Sequence, residues 1–309
     1  MQKRLVSSIY LTYPPISNQE ADWLWNDSDV REHVKDSKLY MLAQREEVFF
    51  ANCKFDSESC CLCFSLETSG HAAHGLSIDF TSTLSSRDEV LVEVGRKHVR
   101  IWSVVDGEKD DVLEWFTVDK LLFDHWRGHT VVSGLGDCSV FTAFRLYYVG
   151  ISKRDDSFSR LFQNGHVNRT RILSNETQIR DGARLTDEIY VFLFDIRQLH
   201  MRTVELEGDI EAIFEDPSVE AERLAADAEK AFVNILDTKY NTVKYERYPE
   251  GNDGLYGSGL DSYGYYIDED IVFQTEVATI RGAHHGADGS NRGADLILIS
   301  GDDVTLVKP

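Results

Sequence analysis

FTAFRLYYVGI (residues 141–151), DSFSRLFQNGH (156–166), LTDEIYVFLFDI (185–196) and PSVEAERLAADAEKAFVNILDTKYN (217–241) are the stretches on which the reading of this chain turns. The first predicts a strand and the second a short helix. The third is a near-continuous apolar run, as a central strand covered on both faces requires. The fourth predicts a helix over 218–237, because Leu224, Ala228, Ala231, Phe232 and Ile235 recur at intervals of three and four. Ser218 is its expected N-cap, with Glu220 and Glu222 placed to favour the positive end of the helix dipole. Strand, helix, strand and helix in this order describe a small α/β domain, bounded here at residues 136–246.

Outward from that domain, residues 1–135 read as an antiparallel β-rich sandwich or barrel. LVSSIYLTY, SKLYMLAQ, EEVFFANCKF, CCLCFSLET, GLSIDFTS, EVLVEVG and KHVRIWSVVDG alternate with period two between short polar turns, and DVLEWFTVDKLLFDHW closes the series as a short helix or turn. Residues 247–309 return to β character, ending in ADLILIS and DVTLVKP around Gly301-Asp302-Asp303. The fold class is therefore α+β, with the α/β domain flanked by an N-terminal β-rich domain and a C-terminal β segment.

A chain of 309 residues that is 42 % apolar, with 16 Phe, 13 Tyr and 5 Trp, has material for sizeable cores and is not disordered over most of its length. No apolar run reaches membrane-spanning length, and the basic first residues lead into a strand pattern rather than a signal peptide, so a cytoplasmic protein without membrane partners is expected. The net charge of −21 argues against broad nucleic-acid affinity. Residues 153–184 nonetheless hold seven basic side chains against four acidic ones, a local +3 in a chain whose remainder carries −24. Such an island is where an anionic substrate is sought, and it reads equally as a solvated helix face. Acidic β-rich regions offer a surface for a basic protein partner.

Five cysteines, four of them between Cys53 and Cys63, invite a zinc reading with His71 and His74. Adjacent Cys60 and Cys61 point to opposite faces of a strand, so the expectation is a buried strand of free thiols suited to a reducing compartment. His284 and His285 with Asp288 form a second, weaker metal candidate. The DHWRGH segment with Asp124, His125 and His129 reads as packing and surface.

Tyr148-Val149-Gly150 followed by Lys153, then Arg160 and His166, then Glu229 at an apolar helix, then Asn241 in DTKYN, form an ordered set. This set resembles the GIY-YIG nuclease core over residues 147–241. The resemblance implies a Mg²⁺- or Mn²⁺-dependent endonuclease, of the kind used in restriction, phage defence or mobile elements. It implies Glu229 as metal ligand, Arg160 on the scissile phosphate, Tyr148 and His166 in proton transfer, and Asn241 in the closing turn, where Thr238 stands at the usual proline. Lys153, Arg154, Arg169 and Arg171 are the expected nucleic-acid contacts. The chemistry agrees with the residue types. An arginine can fork onto a phosphate, and one carboxylate suffices for an ion that keeps most of its waters.

The family's first motif, with its own tyrosine, belongs near Gly136-Asp137-Cys138, where this chain has none. Tyr147, next to Tyr148, is expected to face the other side of the strand. Either His166 or Tyr147 takes that role, or the core is a catalytically inactive scaffold in an interaction protein. A DNA mimic, prompted by the acidity, is disfavoured by the basic island.

Overall fold

The structure is a computed structural model that describes residues 2–84, 89–153, 156–163, 165–203, 219–285 and 291–309. It is α+β, built on one large mixed sheet. The order across that sheet is Thr279–Arg281, Val272–Gln274, Ala143–Ile151, Leu39–Gln44, Ile189–Thr203, Gln2–Leu11, Ser262–Ile267, Leu296–Ser300 and Asp303–Val307. Ile16–Ser17 pairs with Ile189–Thr203 beside this path. Neighbours are antiparallel except at two places, where Ala143–Ile151 meets Val272–Gln274 and where Gln2–Leu11 meets Ser262–Ile267.

The central strands are buried on both faces, and period-two alternation sorts their side chains into two cores. From Leu39–Gln44, Leu39, Met41 and Ala43 enter the larger core, while Tyr40 and Leu42 enter the smaller. From the long strand, Tyr190, Phe192 and Phe194 enter the larger core, and Ile189, Val191 and Leu193 the smaller. The larger core is filled by Phe144, Phe192, Phe273 and the apolar stripe of the Ala221–Leu236 helix, where Leu224, Ala228, Ala231, Phe232 and Leu236 are buried. The smaller core is closed by short helices, including Asn18–Leu24, Ser28–Val34, Ser157–Phe162 and Val167–Asn175.

Strands expected along residues 1–135 are present, but they do not share one sheet. Gln2–Leu11 and Leu39–Gln44 belong to the large sheet. The others form two separate three-stranded antiparallel meanders, Phe49–Asp56, Cys61–Glu67 and Ala72–Asp79, then Val90–Val94, His98–Val105 and Glu108–Thr117. The C-terminal strands, apart from the separate pair His284–His285 and Asn291–Arg292, also join the large sheet, so the segment limits drawn at 135 and 246 do not coincide with sheet limits. Both meanders lie in the chain between two strands that are hydrogen-bonded neighbours, Leu39–Gln44 and Ala143–Ile151.

The cysteine strand differs from expectation. In Cys61–Glu67, Leu62 and Phe64 face the core, which turns Cys61 and Cys63 outward, and Cys63 is exposed. Cys60 sits in the preceding turn with φ of 50°. Among the described residues no group of three or more His, Cys, Asp or Glu is arranged to hold a metal. His284 Nδ1 lies 2.7 Å from Asp270 and His285 Nε2 3.1 Å from Asp268. Asp288 and Ser218 lie outside the described residues.

The end of the Ala221–Leu236 helix fixes the Tyr148 strand. Asp237 closes the helix in the left-handed conformation, and the next residues run against the strand. Tyr240 N–H donates to the Tyr147 carbonyl at 3.0 Å. Asn241 then uses its side-chain amide as a rung of sheet. Its Oδ1 accepts from Val149 N–H at 3.0 Å, and its Nδ2 donates to the Val149 carbonyl at 2.7 Å. Thr238 Oγ1 donates to the same Oδ1 at 2.6 Å, so the threonine at the proline position orients the amide. Asn241→Ala strands two buried peptide groups and should cost about 2–4 kcal/mol in denaturant unfolding, whereas Asn241→Asp, which retains only the acceptor, should be no better tolerated.

Candidate active site

Tyr40 and Tyr148 meet because their strands pair in a register that sets Tyr40 opposite Gly150. Their ring centroids are 6.0 Å apart. Gly150 makes room for both. A Cβ there would sit 2.6 Å from the Tyr148 ring and 2.7 Å from the Tyr40 ring and hydroxyl. The glycine of Tyr148-Val149-Gly150 is thus required by two aromatic rings crossing one strand position.

The third member is His166, N-cap of the Val167–Asn175 helix. Its Nδ1 accepts from Arg169 N–H at 3.0 Å, and its Nε2 lies 2.9 Å from Tyr40 Oη. A neutral imidazole that accepts at Nδ1 carries its proton on Nε2, so His166 donates to the Tyr40 oxygen. Burial, together with the Arg160 and Arg169 charges, lowers the His166 pKa to about 4, so the ring is neutral at pH 7. Neither nitrogen has a lone pair to spare. Both ring nitrogens, expected from sequence to move protons, are engaged with Tyr40 and with the start of the helix. Its ring packs edge-on to Tyr40 and Tyr148, with centroids at 5.6 and 5.2 Å.

Arg160 lies in the short helix Ser157–Phe162 with an exposed side chain. It makes no ion pair among the described residues, yet its charge acts on Tyr40, Tyr148 and His166 alike. Glu229 enters from the Ala221–Leu236 helix and raises the pKa of both tyrosines. Burial pushes its own pKa up to about 7, against the opposing pull of Lys153 and of the Tyr245 hydroxyl, which stands 3.5 Å from Oε2. No cation pairs with Glu229 among the described residues. Tyr40 is raised further than Tyr148, mainly by burial in both cases, and contact with Asn168 and Tyr40 draws Tyr148 back.

No family model, curated protein or solved structure matches this chain. The site is accordingly read from its own geometry.

Of the residues expected from sequence, Tyr148, Arg160, His166 and Glu229 share one neighbourhood, and Asn241 supports it through Val149. Tyr147 does not face away. The ladder slips between Leu146 and Tyr148, and this bulge puts both tyrosines on the smaller-core face. The Tyr147 hydroxyl is committed to Gln44 Oε1 at 2.6 Å. The phenol beside Tyr148 is instead Tyr40, which sequence reading missed. Its signal was a tyrosine in a fully apolar strand, SKLYMLAQ, remote from the motif.

The basic residues divide. Lys153 and Arg171 are exposed. Arg169 is partly committed to the fold, donating from Nε to Asn18 Oδ1 at 2.6 Å and lying over the Phe162 ring at 4.1 Å. Arg154 lies outside the described residues.

Glu229 and His166 carry opposite linkages over the same pH window. The folded pKa of Glu229 is raised, so its contribution is favourable at low pH and lost as pH rises through about 7. The folded pKa of His166 is lowered, so its contribution is present above pH 6.5 and lost as pH falls toward about 4. In EDTA, Glu229→Gln should stabilise the fold by on the order of 2 kcal/mol at pH 8 and little at pH 4. His166→Gln should flatten the loss of stability on acidification. Urea midpoints across pH 4–8 separate the two. Gly150→Ala should cost about 1–3 kcal/mol through overpacking of the two rings.

Proposed function

We propose that the chain is a Mg²⁺-dependent nuclease that hydrolyses phosphodiester bonds, with a GIY-YIG-like core extending from the Tyr40 strand to Asn241. The observation that carries this reading is the convergence of Tyr40, Tyr148, Arg160 and Glu229 from two strands and two helices, with Arg160 and Glu229 each lacking an ion-pair partner among the described residues. In this reading Tyr40 is the first-motif tyrosine. The Leu39–Gln44 strand lies between its antiparallel neighbours Ala143–Ile151 and Ile189–Thr203, and residues 45–142 are an insertion between the two tyrosine strands.

The donor set suits a hard divalent ion. A desolvated carboxylate without a cation gains most from a metal, and Mg²⁺ or Mn²⁺ needs few protein ligands when waters and phosphate oxygens supply the rest. Glu229 would hold the ion, which when bound would neutralise charge on the phosphate and the departing oxygen. Arg160 binds the non-bridging oxygens bidentately. The Tyr40 oxygen accepts from His166 and its own hydroxyl proton is shared with Tyr148, so the phenol of Tyr148 is the one placed to face an attacking water or a phosphate oxygen. His166 and Asn241 hold these groups in place. Lys153 and Arg171 extend the positive surface for nucleic acid.

The alternative, a catalytically inactive interaction protein, is decided by the same assay. Purified protein with Mg²⁺ or Mn²⁺ should cleave single- or double-stranded DNA or RNA. Tyr40→Phe, Arg160→Ala and Glu229→Ala should each lower the rate roughly a hundredfold or more, while Arg160→Ala keeps its unfolding free energy within about 1 kcal/mol of the parent. Absence of cleavage on every one of these substrates removes the nuclease reading in favour of binding alone.

A further inference from the structure

We propose that a cleft walled by Tyr13, Trp23, Trp102 and Trp115 receives an unpaired nucleobase of the bound nucleic acid; the choice of nucleic acid as occupant rests on the nuclease reading above. The cleft has a volume of about 800 Å³ and opens between the Asn18–Leu24 helix with its lead-in, Tyr13–Ser17, and the meander strands His98–Val105 and Glu108–Thr117. That volume is within the range of small-ligand sites.

Tyr13, Trp23, Trp102 and Trp115 line this one opening together with the buried Tyr190, and Trp23 and Trp115 remain 70 % and 40 % exposed. An indole left in water forgoes one of the largest burial terms any side chain has. Aromatic faces gathered around a slot suit a flat, π-bearing ligand, against which base stacking is favourable whatever the base.

The charges around the slot are compatible with an anionic chain passing it. Its carboxylates are already engaged. Glu47 and Asp187 both pair with Lys97, the latter at 3.0 Å, and Asp119 pairs with buried Arg45 at 2.7 Å. Glu20 is bound into the capping box of its own helix by Ser17. Arg100, also in the lining, is exposed and stands across the strand pair from Glu93, on which its charge acts without a close ion pair, so its guanidinium can turn to a phosphate beside the base.

The cleft is also tied to the tyrosine site. Asn18, at the start of the seven-residue helix that carries Trp23, accepts from the Arg169 guanidinium, and the Arg169 backbone N–H donates to His166 Nδ1. The helix that carries Trp23 is thus joined to the segment that carries His166 by direct side-chain contact. A strand held at Arg160 can lay a neighbouring, unstacked base among the tryptophans. A fully paired duplex has no base to offer, so the cleft selects single-stranded or locally opened substrate.

The test is titration of tryptophan fluorescence of the full chain in EDTA with a ten-nucleotide oligothymidylate, alone or paired with its complement. Saturable quenching by the single strand and little by the duplex is expected. Trp23→Ala and Trp115→Ala, both at exposed positions and checked by far-ultraviolet circular dichroism, should each weaken binding roughly tenfold. In the cleavage assay they should raise KM and leave kcat near the parent value. Quenching that persists at parental affinity in the double variant, or is absent in the parent, overturns the proposal, as does saturable binding of an apolar peptide without any response to the oligonucleotide. The two readings fail separately. Tryptophan-dependent oligonucleotide binding without cleavage removes the nuclease alone, and cleavage with KM unchanged in the double variant removes the cleft alone.

Discussion

The pairing of Tyr40 with Gly150 is the constraint on which the candidate site depends. Two phenol rings can share one strand position only where that position has no Cβ, and only in a register that sets the rings on the same side of the sheet. A slip of one residue would turn Tyr40 to the opposite core. Asn241 and Thr238 act on this register from the far edge of the strand, through the Val149 peptide groups. The helix that presents Glu229 thus also secures the strand that presents Tyr148, so carboxylate and phenol are positioned by one continuous segment.

Desolvation then sets the chemical character of the group. It makes Glu229 a reluctant anion, keeps His166 neutral and raises both tyrosines, while Arg160 stays in solvent with no ion-pair partner among the described residues. A cation and a desolvated carboxylate, neither in an ion pair among the described residues, thus lie in one neighbourhood. Other buried carboxylates among the described residues are more fully hydrogen-bonded. Asp227, for example, accepts from the Tyr248 and Tyr265 hydroxyls and the Leu255 N–H, and Glu269 accepts from Trp126 and the Leu11 N–H. That contrast separates the tyrosine cluster from structural polar cores.

The sequence made the later part of the site legible because Tyr148, Arg160, His166 and Glu229 follow one another in chain order within about eighty residues, on or beside elements whose patterns can be read locally. Helix 218–237 was legible to within a few residues, against Ala221–Leu236 observed. Tyr40 was not legible, because its partner strand lies beyond residues 45–142 and strand pairing leaves no local trace in composition. Tyr147 was misplaced because strict alternation takes no account of a bulge, which no residue type in LYYVG announces. His166 was assigned a titrating role from its ordinary pKa, and only its two hydrogen-bond partners reveal that both nitrogens are occupied. The joining of the N- and C-terminal strands into a single sheet was likewise a property of long-range pairing, hidden from a reading by segments.

The long interruption between the two tyrosine strands bears on how the tyrosine cluster comes to be assembled. Chain entropy grows only logarithmically with loop length, so widening a ten-residue connection to a hundred costs about 2 kcal/mol at equilibrium. The kinetic consequence is larger. The strands bearing Tyr40 and Tyr148 must find each other after two intervening meanders have been synthesised, and the Glu229 helix arrives later still. A partly made or partly unfolded chain therefore holds the reactive groups apart, and assembly of the cluster is coupled to completion of the large sheet.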